Sequence, residues 1–148
     1  MSSVEPLLIV FTAQSKRRFF CRDAVCEFVF GKGAAPLNPY RAFDYFLGDR
    51  APRELVRQAN NNLVRIADEV WVFGEVSDGV LFEILYAQRL GKAVRYFSID
   101  DRAKEIRKSS VKELEFEPEV LQHFGSREVL IEKIVGVRTR RTTMTRRS

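Results

Sequence analysis

The sequence predicts an α/β protein that is built on a parallel β-sheet. The clearest sign is a strand–helix–strand pattern in the middle of the chain. Val70–Phe73 and Ala93–Ile99 are short apolar runs rich in β-branched and aromatic residues, which is typical of buried strands. Between them, a helix is expected to begin at Ser77 or Asp78, which are good N-cap residues, and to end near Gly91. Such units make parallel sheets, because parallel strands need a crossover connection.

The rest of the chain adds strands and helices to this unit. The run Leu7–Phe11 is continuously apolar and suits a strand at the centre of the sheet. The predicted elements are, in chain order, strand Leu7–Phe11, a helix from Lys16 to about Gly33, strand Ala34–Leu37, helix Arg53–Ile66, the unit at 70–99, a loop or weak helix Asp100–Lys112, a short edge strand Glu115–Glu117 and helix Glu119–Val135.

Apolar spacing predicts which sides of two helices face inward or outward. The inward residues of the helix at 53–66 are expected to be Leu55, Val56, Ala59, Leu63 and Ile66. In the helix after Ser77, Phe82, Tyr86 and Leu90 fall on the outer flank, away from the sheet. Large apolar groups there suggest a contact between subunits, although a covering C-terminal segment would explain them equally well.

Length and composition predict one soluble domain with a basic tail. The chain has 148 residues, of which 45% are hydrophobic and 30% charged. We expect a single domain over residues 1–136 and a disordered tail over 137–148. The tail holds five of the 25 basic residues and none of the 20 acidic ones, so the domain carries no net charge. A basic tail can bind nucleic acid, but a solubilising end is at least as common, so nucleic acid is expected as a partner only through the tail.

The sequence also indicates which classes of protein to exclude. No apolar run approaches the roughly 20 residues that span a bilayer, and no signal peptide is evident, so the predicted location is cytoplasmic, with no membrane partner. Cys21 and Cys26 lie five residues apart, which disfavours a disulfide, and His123 is the only histidine. The chain contains neither GxGxxG nor GxxxxGK followed by Ser or Thr, so we expect no dinucleotide cofactor, no P-loop and no metal.

The predicted ligand site is the loop Gly74–Gly79, because open parallel sheets bind ligands at the carboxyl ends of their strands. The helix N-terminus at Ser77, Asp78 and Gly79 offers unpaired N–H groups and a partial positive charge, which favour a phosphate or another anion. Glu83 follows at the edge of the apolar stripe, where its carboxylate would be half-buried and near the site. A flank Glu favoured only by the helix dipole is an equally good interpretation.

Other polar and aromatic residues follow the remaining predicted strands. Thr12 and Asn38 could line the same pocket, although an Asn before Pro more often only starts a turn. One residue of the run Asn60–Asn62 could point an amide into the pocket, and surface solvation is the alternative. An aromatic cluster consists of Tyr40, Phe43, Tyr45 and Phe46. Aromatic faces suit the stacking of a nucleobase, and a lid packed on the core explains the cluster equally well.

These motifs resemble the nucleoside 2-deoxyribosyltransferase-like superfamily, which includes nucleotide N-glycoside hydrolases. The resemblance is carried by Ala67–Phe73, by Ser77-x-Gly79-x-x-x-Glu83, and by Ala87 with Leu90–Val94. It implies a flavodoxin-like, or Rossmann-like, three-layer α/β sandwich and an N-glycosidase or deoxyribosyltransferase in which Glu83 is the nucleophile. It also implies that Ser77 and Gly79 hold a 5′-phosphate, that no cofactor is needed, and that the protein is a homo-oligomer.

The sequence departs from this family pattern at one important position. The family usually carries an Asp that helps to protonate or orient the base, seven or eight residues before the position of Asp68. Those positions are Asn61 and Asn60 in this chain. An Asn can hydrogen-bond a base but cannot supply a proton. Asp78 or Asp44 could take over that task.

Two hypotheses about function therefore stand. The first is an enzyme that cleaves or transfers the N-glycosidic bond of a nucleoside or nucleoside 5′-monophosphate, with Glu83 and Asp78 in the catalytic set. Ser77 and Gly79 would then hold the phosphate or sugar, and Asn61 with nearby aromatic residues would hold the base. The second is a non-catalytic sensor that binds a nucleotide-derived ligand in the same pocket.

Overall fold

The computed structural model describes residues 5–43, 50–102 and 105–136 and shows a five-stranded β-sheet flanked by helices. The strands are β1 (Ile9–Gln14), β2 (Ala35–Leu37), β3 (Glu69–Phe73), β4 (Ala93–Ile99) and β5 (Ile106–Ser109). Their order is β2-β1-β3-β4-β5, which is the strand order of flavodoxin-like sheets. β1 to β4 are parallel, and β5 runs antiparallel to β4.

The helices lie on both faces of this sheet. They include α1 (Arg22–Gly31), α2 (Pro39–Ala42), α3 (Arg53–Ile66), α4 (Asp78–Arg89), α5 (Pro118–Phe124) and α6 (127–136). A 3₁₀ helix, Lys16–Cys21, precedes α1, and a second one, Val111–Glu113, follows β5.

The sheet is the middle of three layers. Successive side chains of a strand point to opposite faces, so the neighbours Val10 and Phe11 enter different cores. Val10 belongs to the core with Trp71 and Phe73, on the face that α1 covers. Phe11 belongs to the core with Val70, on the face that α3 and α4 cover. The predicted three-layer α/β sandwich is therefore confirmed.

The inward side of α3 differs from the prediction, although the helix has the predicted bounds. The side chains of Leu55 and Ile66 are 57% and 63% exposed, whereas Val64 is fully buried. Val56, Asn60 and Val64 follow one another at four-residue spacing on the side that faces the core. Leu55 and Ile66 lie about 120° to 140° around the helix from Asn60, so they face outward.

β1 begins and ends later than predicted. It runs over Ile9–Gln14, and Leu7 and Leu8 are exposed before it. Thr12 and Gln14 continue the strand, because their polar side chains find hydrogen-bond partners inside the protein. Thr12 is therefore part of β1 and not of a loop that follows it.

The segment after β4 contains a strand where the sequence predicted a loop or weak helix. Ile106–Ser109 pairs with Tyr96–Ile99 at the edge of the sheet. Charged side chains on an edge strand keep it from pairing with other chains. The charged residues of this segment favour a loop over a strand in a prediction from sequence, but Arg107 and Lys108 suit a strand at the edge of the sheet.

The C-terminal part also differs from the prediction. The expected strand Glu115–Glu117 is reduced to a single bridge between Phe116 and Val76. The expected helix Glu119–Val135 is divided into α5 and α6, because Gly125 ends α5 with a φ of 109°.

Several predictions concern residues outside the described ranges. Asp44, Tyr45, Phe46 and the basic tail are among these residues, so their predicted roles stay predictions. Cys21 and Cys26 are both free thiols. None of the helices within 5–43, 50–102 and 105–136 is long and apolar enough to cross a membrane.

Candidate functional site

The loop between β3 and α4 lies where the strand order of the sheet reverses. In a sheet of this order, the connections from the two central strands leave toward opposite faces and open a crevice at their carboxyl ends. Here those strands are β1 and β3. The loop at 74–77 and the first turn of α4 follow β3 at this edge, as predicted for a ligand site.

Ser77 begins α4 by capping its first turn. Its backbone is extended, and its Oγ accepts a hydrogen bond from the Val80 N–H at 3.3 Å. Asp78 and Gly79 follow on the exposed first turn. The first N–H groups of a helix have no partner within the helix, so this turn can bind an anion.

The loop before Ser77 is held in place by a close backbone approach and an ion pair. Gly74 has a φ of 80°, and a Cβ at this position would lie only 3.1 Å from Ile99 Cγ2. The next residue, Glu75, accepts two hydrogen bonds from Arg18, at 2.6 and 2.9 Å. This guanidinium lowers the pKa of Glu75. The path of the loop beside β4 therefore depends on glycine and on a fixed salt bridge.

The C-terminal part of the chain crosses the same edge. The N–H of Val76 donates to the Glu115 carbonyl at 2.8 Å, and the N–H of Glu117 donates to the Val76 carbonyl at 2.9 Å. The buried Ser15, directly after β1, donates from Oγ to the Glu117 carboxylate. These contacts tie the ends of β1 and β3 together. Sequence reasoning missed them because they join residues far apart in the chain.

Glu83 is the buried carboxylate of this region. Only 8% of the residue is exposed, and its side chain meets α3. The Asn60 Nδ2 donates a hydrogen bond to Glu83 Oε2 at 2.7 Å. Within the described part of the chain, Glu83 has no second hydrogen-bond partner and no ion pair. Burial raises the pKa of Glu83 to about 7, and the hydrogen bond from Asn60 opposes this rise.

The environment of Glu83 sets its chemistry apart from that of other carboxylates nearby. Glu75 has an arginine partner that favours its charged form, whereas Glu83 has only a neutral amide. A carboxyl group with a pKa near 7 is present in both protonation states at neutral pH, so it can act as a nucleophile, base or acid.

The structure brings Asn60, and not Asn61, to Glu83. Asn60 lies four residues before the buried Val64, on the inward side of α3. Asn61 is half-buried and is rotated by about 100° around the helix. Asn62 is exposed. The spacing from Val64 is the sequence signal that could have selected Asn60.

Thr12, Asn38 and Tyr40 form a separate group on the other face of the sheet. Thr12 and Gln14 alternate with the residues that face α3 and α4, so their side chains point to the α1 layer. The Asn38 Nδ2 donates to Thr12 Oγ1 and to Gln14 Oε1, both at 2.9 Å. The Tyr40 hydroxyl donates to the Gln14 carbonyl at 3.2 Å. Both amide hydrogens of Asn38 are therefore used within the protein, on the side of the sheet away from Glu83.

The N-terminal turn of α4 is the part of the site that suits an anion. Among the residues that the structure describes, no three His, Cys, Asp or Glu side chains are grouped to hold a metal. The exposed first turn of α4 is the part that could take the phosphate of a nucleotide.

Comparison with known proteins gives a family match and similarity to solved structures. Residues 10–97 match the family model of a domain of unknown function, DUF7768. No curated protein matches the chain. Among solved structures, the chain is similar to the 2-desoxiribosyltransferase from Leishmania mexicana, with 21% identity over 87% of this chain and 97% of that one, and a TM-score of 0.49. Because the family model covers more than half of the chain, the protein belongs to the DUF7768 family.

Proposed function

We propose that this protein cleaves or transfers the N-glycosidic bond of a nucleoside or nucleoside 5′-monophosphate, with Glu83 as the nucleophile. The observation that carries the proposal is the carboxylate itself. It is buried on α4 just after the first turn of the helix, and α4 follows β3, one of the two strands between which the crevice is expected to open. Folding does not need an isolated carboxyl in an apolar layer, so a chemical role is the better reason for it.

Glu83 has the properties that covalent glycoside chemistry needs. A single hydrogen bond from Asn60 holds Oε2, which leaves Oε1 without a partner among the described residues. The ionised carboxylate would attack the anomeric carbon, displace the base and form a glycosyl-enzyme intermediate. Water or an acceptor base would then take the sugar. This route uses neither a metal nor a cofactor.

The first turn of α4 would hold the phosphate or the sugar hydroxyls. Ser77 caps the turn, and the exposed Gly79 leaves room for a ligand beside its N–H. Asp78 is exposed on the same turn, so its proposed catalytic role is to steer the leaving base or a water and not to contact Glu83. Asn61, beside Asn60 on α3, remains proposed for the base. Tyr40 also remains proposed for it, because its hydroxyl bonds to the carbonyl of Gln14 at the carboxyl end of β1, which borders the expected crevice from the other side of the sheet.

Thr12 and Asn38 have an indirect role in this proposal. Their side chains bond to each other and to Gln14. They would therefore hold the carboxyl ends of β1 and β2 in place, so that Tyr40 is presented correctly.

A homodimer formed through α4 is part of the proposal. Phe82 and Tyr86 stack on this helix with ring centroids 5.9 Å apart, and Phe82 is 52% exposed. The charged residues Asp78 and Arg89 lie at the two ends of this outer flank, and no charged residue lies on it between them. A second copy of the chain, which presents the same flank, is the matching partner.

A non-catalytic sensor is the second candidate function, and Asn60 favours it. The family pattern expects an Asp in this stretch of the chain to serve the base, and Asn60 carries an amide that cannot supply a proton. In this case Glu83 and Asn60 would bind the ligand without breaking it.

Base release from a panel of nucleosides and their 5′-monophosphates tests the proposal. Wild type should release a base, Glu83→Gln should lose this activity, and Glu128→Gln, at an exposed position on α6, should keep it. An added acceptor base separates transfer from hydrolysis. If no member of the panel releases base but one of them raises the melting temperature, the sensor replaces the enzyme.

A further inference from the structure

Within 5–43, 50–102 and 105–136, no positively charged side chain forms an ion pair or hydrogen bond with Glu83. Its carboxylate is buried, and its single hydrogen bond comes from the neutral amide of Asn60. By contrast, Glu75, in the loop that leads into α4, has an arginine partner, Arg18. A buried carboxylate without a counter-ion is unfavourable in its charged form. A ligand with a positive charge would serve as the counter-ion of the Glu83 carboxylate.

A second feature is that the residue beside Glu83 cannot protonate a leaving group. Cleavage of an ordinary nucleoside leaves a base anion unless an acid donates a proton to the ring. Asn60 has no proton to give, and Asp78 lies five residues before Glu83 on the exposed first turn. No acid among the described residues bonds to Glu83. Among the residues that the structure describes, the site therefore offers Glu83 no neighbouring acid, which suits a base that leaves without protonation.

From these two features, we infer that the substrate is an N-glycoside whose base already carries a positive charge, such as a pyridinium or a 7-alkylpurinium nucleoside 5′-monophosphate. The inference rests on the proposed function, and it names the substrate class of the same site. Cleavage of such a substrate differs from cleavage of an ordinary nucleoside, because the positive charge of the ring makes protonation of the leaving base by an acid unnecessary.

The reaction balances without any further group. The Glu83 carboxylate forms a bond to C1′ while the C1′–N bond breaks, and the electron pair of that bond neutralises the cationic ring. The ring leaves as a neutral base. Water then attacks C1′, the ester bond to Glu83 breaks, and one proton passes to solvent. The products are the free sugar phosphate, the neutral base and a proton.

The cationic ring also activates the nucleophile that attacks it. A positive charge within a few ångströms of a carboxyl favours the ionised form and lowers its pKa. Glu83, whose pKa is about 7 in the free protein, would lose its proton when such a ligand binds. A neutral ligand would leave the carboxyl in both protonation states at neutral pH, so a substantial part of the protein would hold a protonated, unreactive Glu83.

Two matched pairs of mononucleotides test the inference. Nicotinamide mononucleotide is compared with its reduced, neutral form, and 7-methylguanosine 5′-monophosphate with guanosine 5′-monophosphate. Wild type should release base from at least one cationic member at least about 100-fold faster than from its neutral partner, a ratio within the range that general acid catalysis provides. Glu83→Gln should reduce release to the rate of buffer alone.

An Asp at position 60 tests the second feature. Asn60→Asp places a carboxyl beside Glu83 that can carry a proton, so the ratio between cationic and neutral members should narrow by about 10-fold or more through faster release from the neutral one. Asn62→Asp, the same change on the exposed side of α3, is the control and should keep the wild-type ratio.

The possible outcomes separate this inference from the proposed function. Comparable release from neutral and cationic members overturns the inference and leaves the proposed function in place. No release from either pair, together with release from an ordinary nucleoside, also overturns only the inference. No release from any of these compounds by wild type overturns both.

Discussion

Glu83 makes the stability of the protein depend on pH. Burial raises the pKa of this carboxyl from its usual 4.5 to about 7. Between these values the folded state holds a proton that the unfolded state releases, so the free energy of unfolding is highest below the lower pKa and falls as the pH rises toward the higher one. One pKa unit corresponds to about 1.4 kcal/mol, so the whole shift amounts to about 3 kcal/mol.

The substitution Glu83→Gln should remove this dependence, because the amide keeps the shape and the hydrogen bond from Asn60 but does not titrate. Urea unfolding of both proteins at several values between pH 5 and pH 8 measures the difference. Wild type should lose stability relative to Glu83→Gln as the pH rises. If the free energy of unfolding changes with pH in the same way for both proteins, the pKa of Glu83 is not raised in the folded protein.

At single residues, the sequence indicates which side chain is unusual better than it indicates what that side chain contacts. Glu83 stands out in the sequence because it interrupts an apolar stripe, and the structure places it in the core. Asn60 does not stand out, because its neighbours Asn61 and Asn62 are identical in type. Only the packing of α3 against α4 decides which amide meets Glu83. The sequence predicts Thr12 and Asn38 as pocket residues, and it does not reveal that their side chains hydrogen-bond to each other.

The start of α4 depends on the side chain of Ser77. Its Oγ accepts the hydrogen bond of the Val80 N–H, which would otherwise be unsatisfied. Ser77→Ala should lower the free energy of unfolding by about 1 kcal/mol, and Ser77→Asn, which can cap the helix in the same way, should restore most of it. Urea unfolding measures both variants. Equal losses in the two would mean that the hydroxyl serves something other than the cap.

The loop that leads into α4 depends on glycine at position 74. Gly74 combines a φ of 80° with close contact to Ile99, so Gly74→Ala adds backbone strain and a clash. We expect a loss of more than about 1 kcal/mol in the free energy of unfolding. Gly31→Ala is the matched control, because a Cβ there meets nothing within 4 Å, and it should be neutral or stabilising. If both variants lose the same stability, the loop is not constrained as the structure shows.

Among whole elements, those with a strong local period are predicted correctly. β4 and α3 have the bounds that apolar pattern and end signals indicate. β5 and the bridge at Phe116 lack such a pattern, because their pairing is set by β4 and by Val76 from elsewhere in the chain. The break between α5 and α6 depends on the φ of one glycine, which an apolar period does not reveal.

At the scale of the whole molecule, the outer flank of α4 is the surface through which we propose that two copies assemble. Its middle carries an aromatic pair that is stacked and partly exposed, and its charged residues, Asp78 and Arg89, lie only at its ends. Such an apolar stretch is unusual on the surface of a monomer that is otherwise rich in Lys, Arg, Asp and Glu. The flank lies on the same helix as Glu83, so a second copy that packs there would also restrain the helix that positions the carboxylate.

The substitution Phe82→Ser should therefore convert a dimer into a monomer. The change removes a large exposed ring from the centre of the proposed contact, and central aromatic residues carry much of the binding energy of such contacts. Phe30→Ser is the matched control, because Phe30 is 62% exposed on α1, on the opposite face of the sheet, and its loss should leave the dimer intact. Sedimentation velocity at micromolar concentration distinguishes the two states. A monomeric wild type, or a Phe82→Ser variant that stays dimeric, would contradict assembly through α4. If the variant is monomeric and also releases base more slowly than wild type, the α4 contact contributes to the position of Glu83.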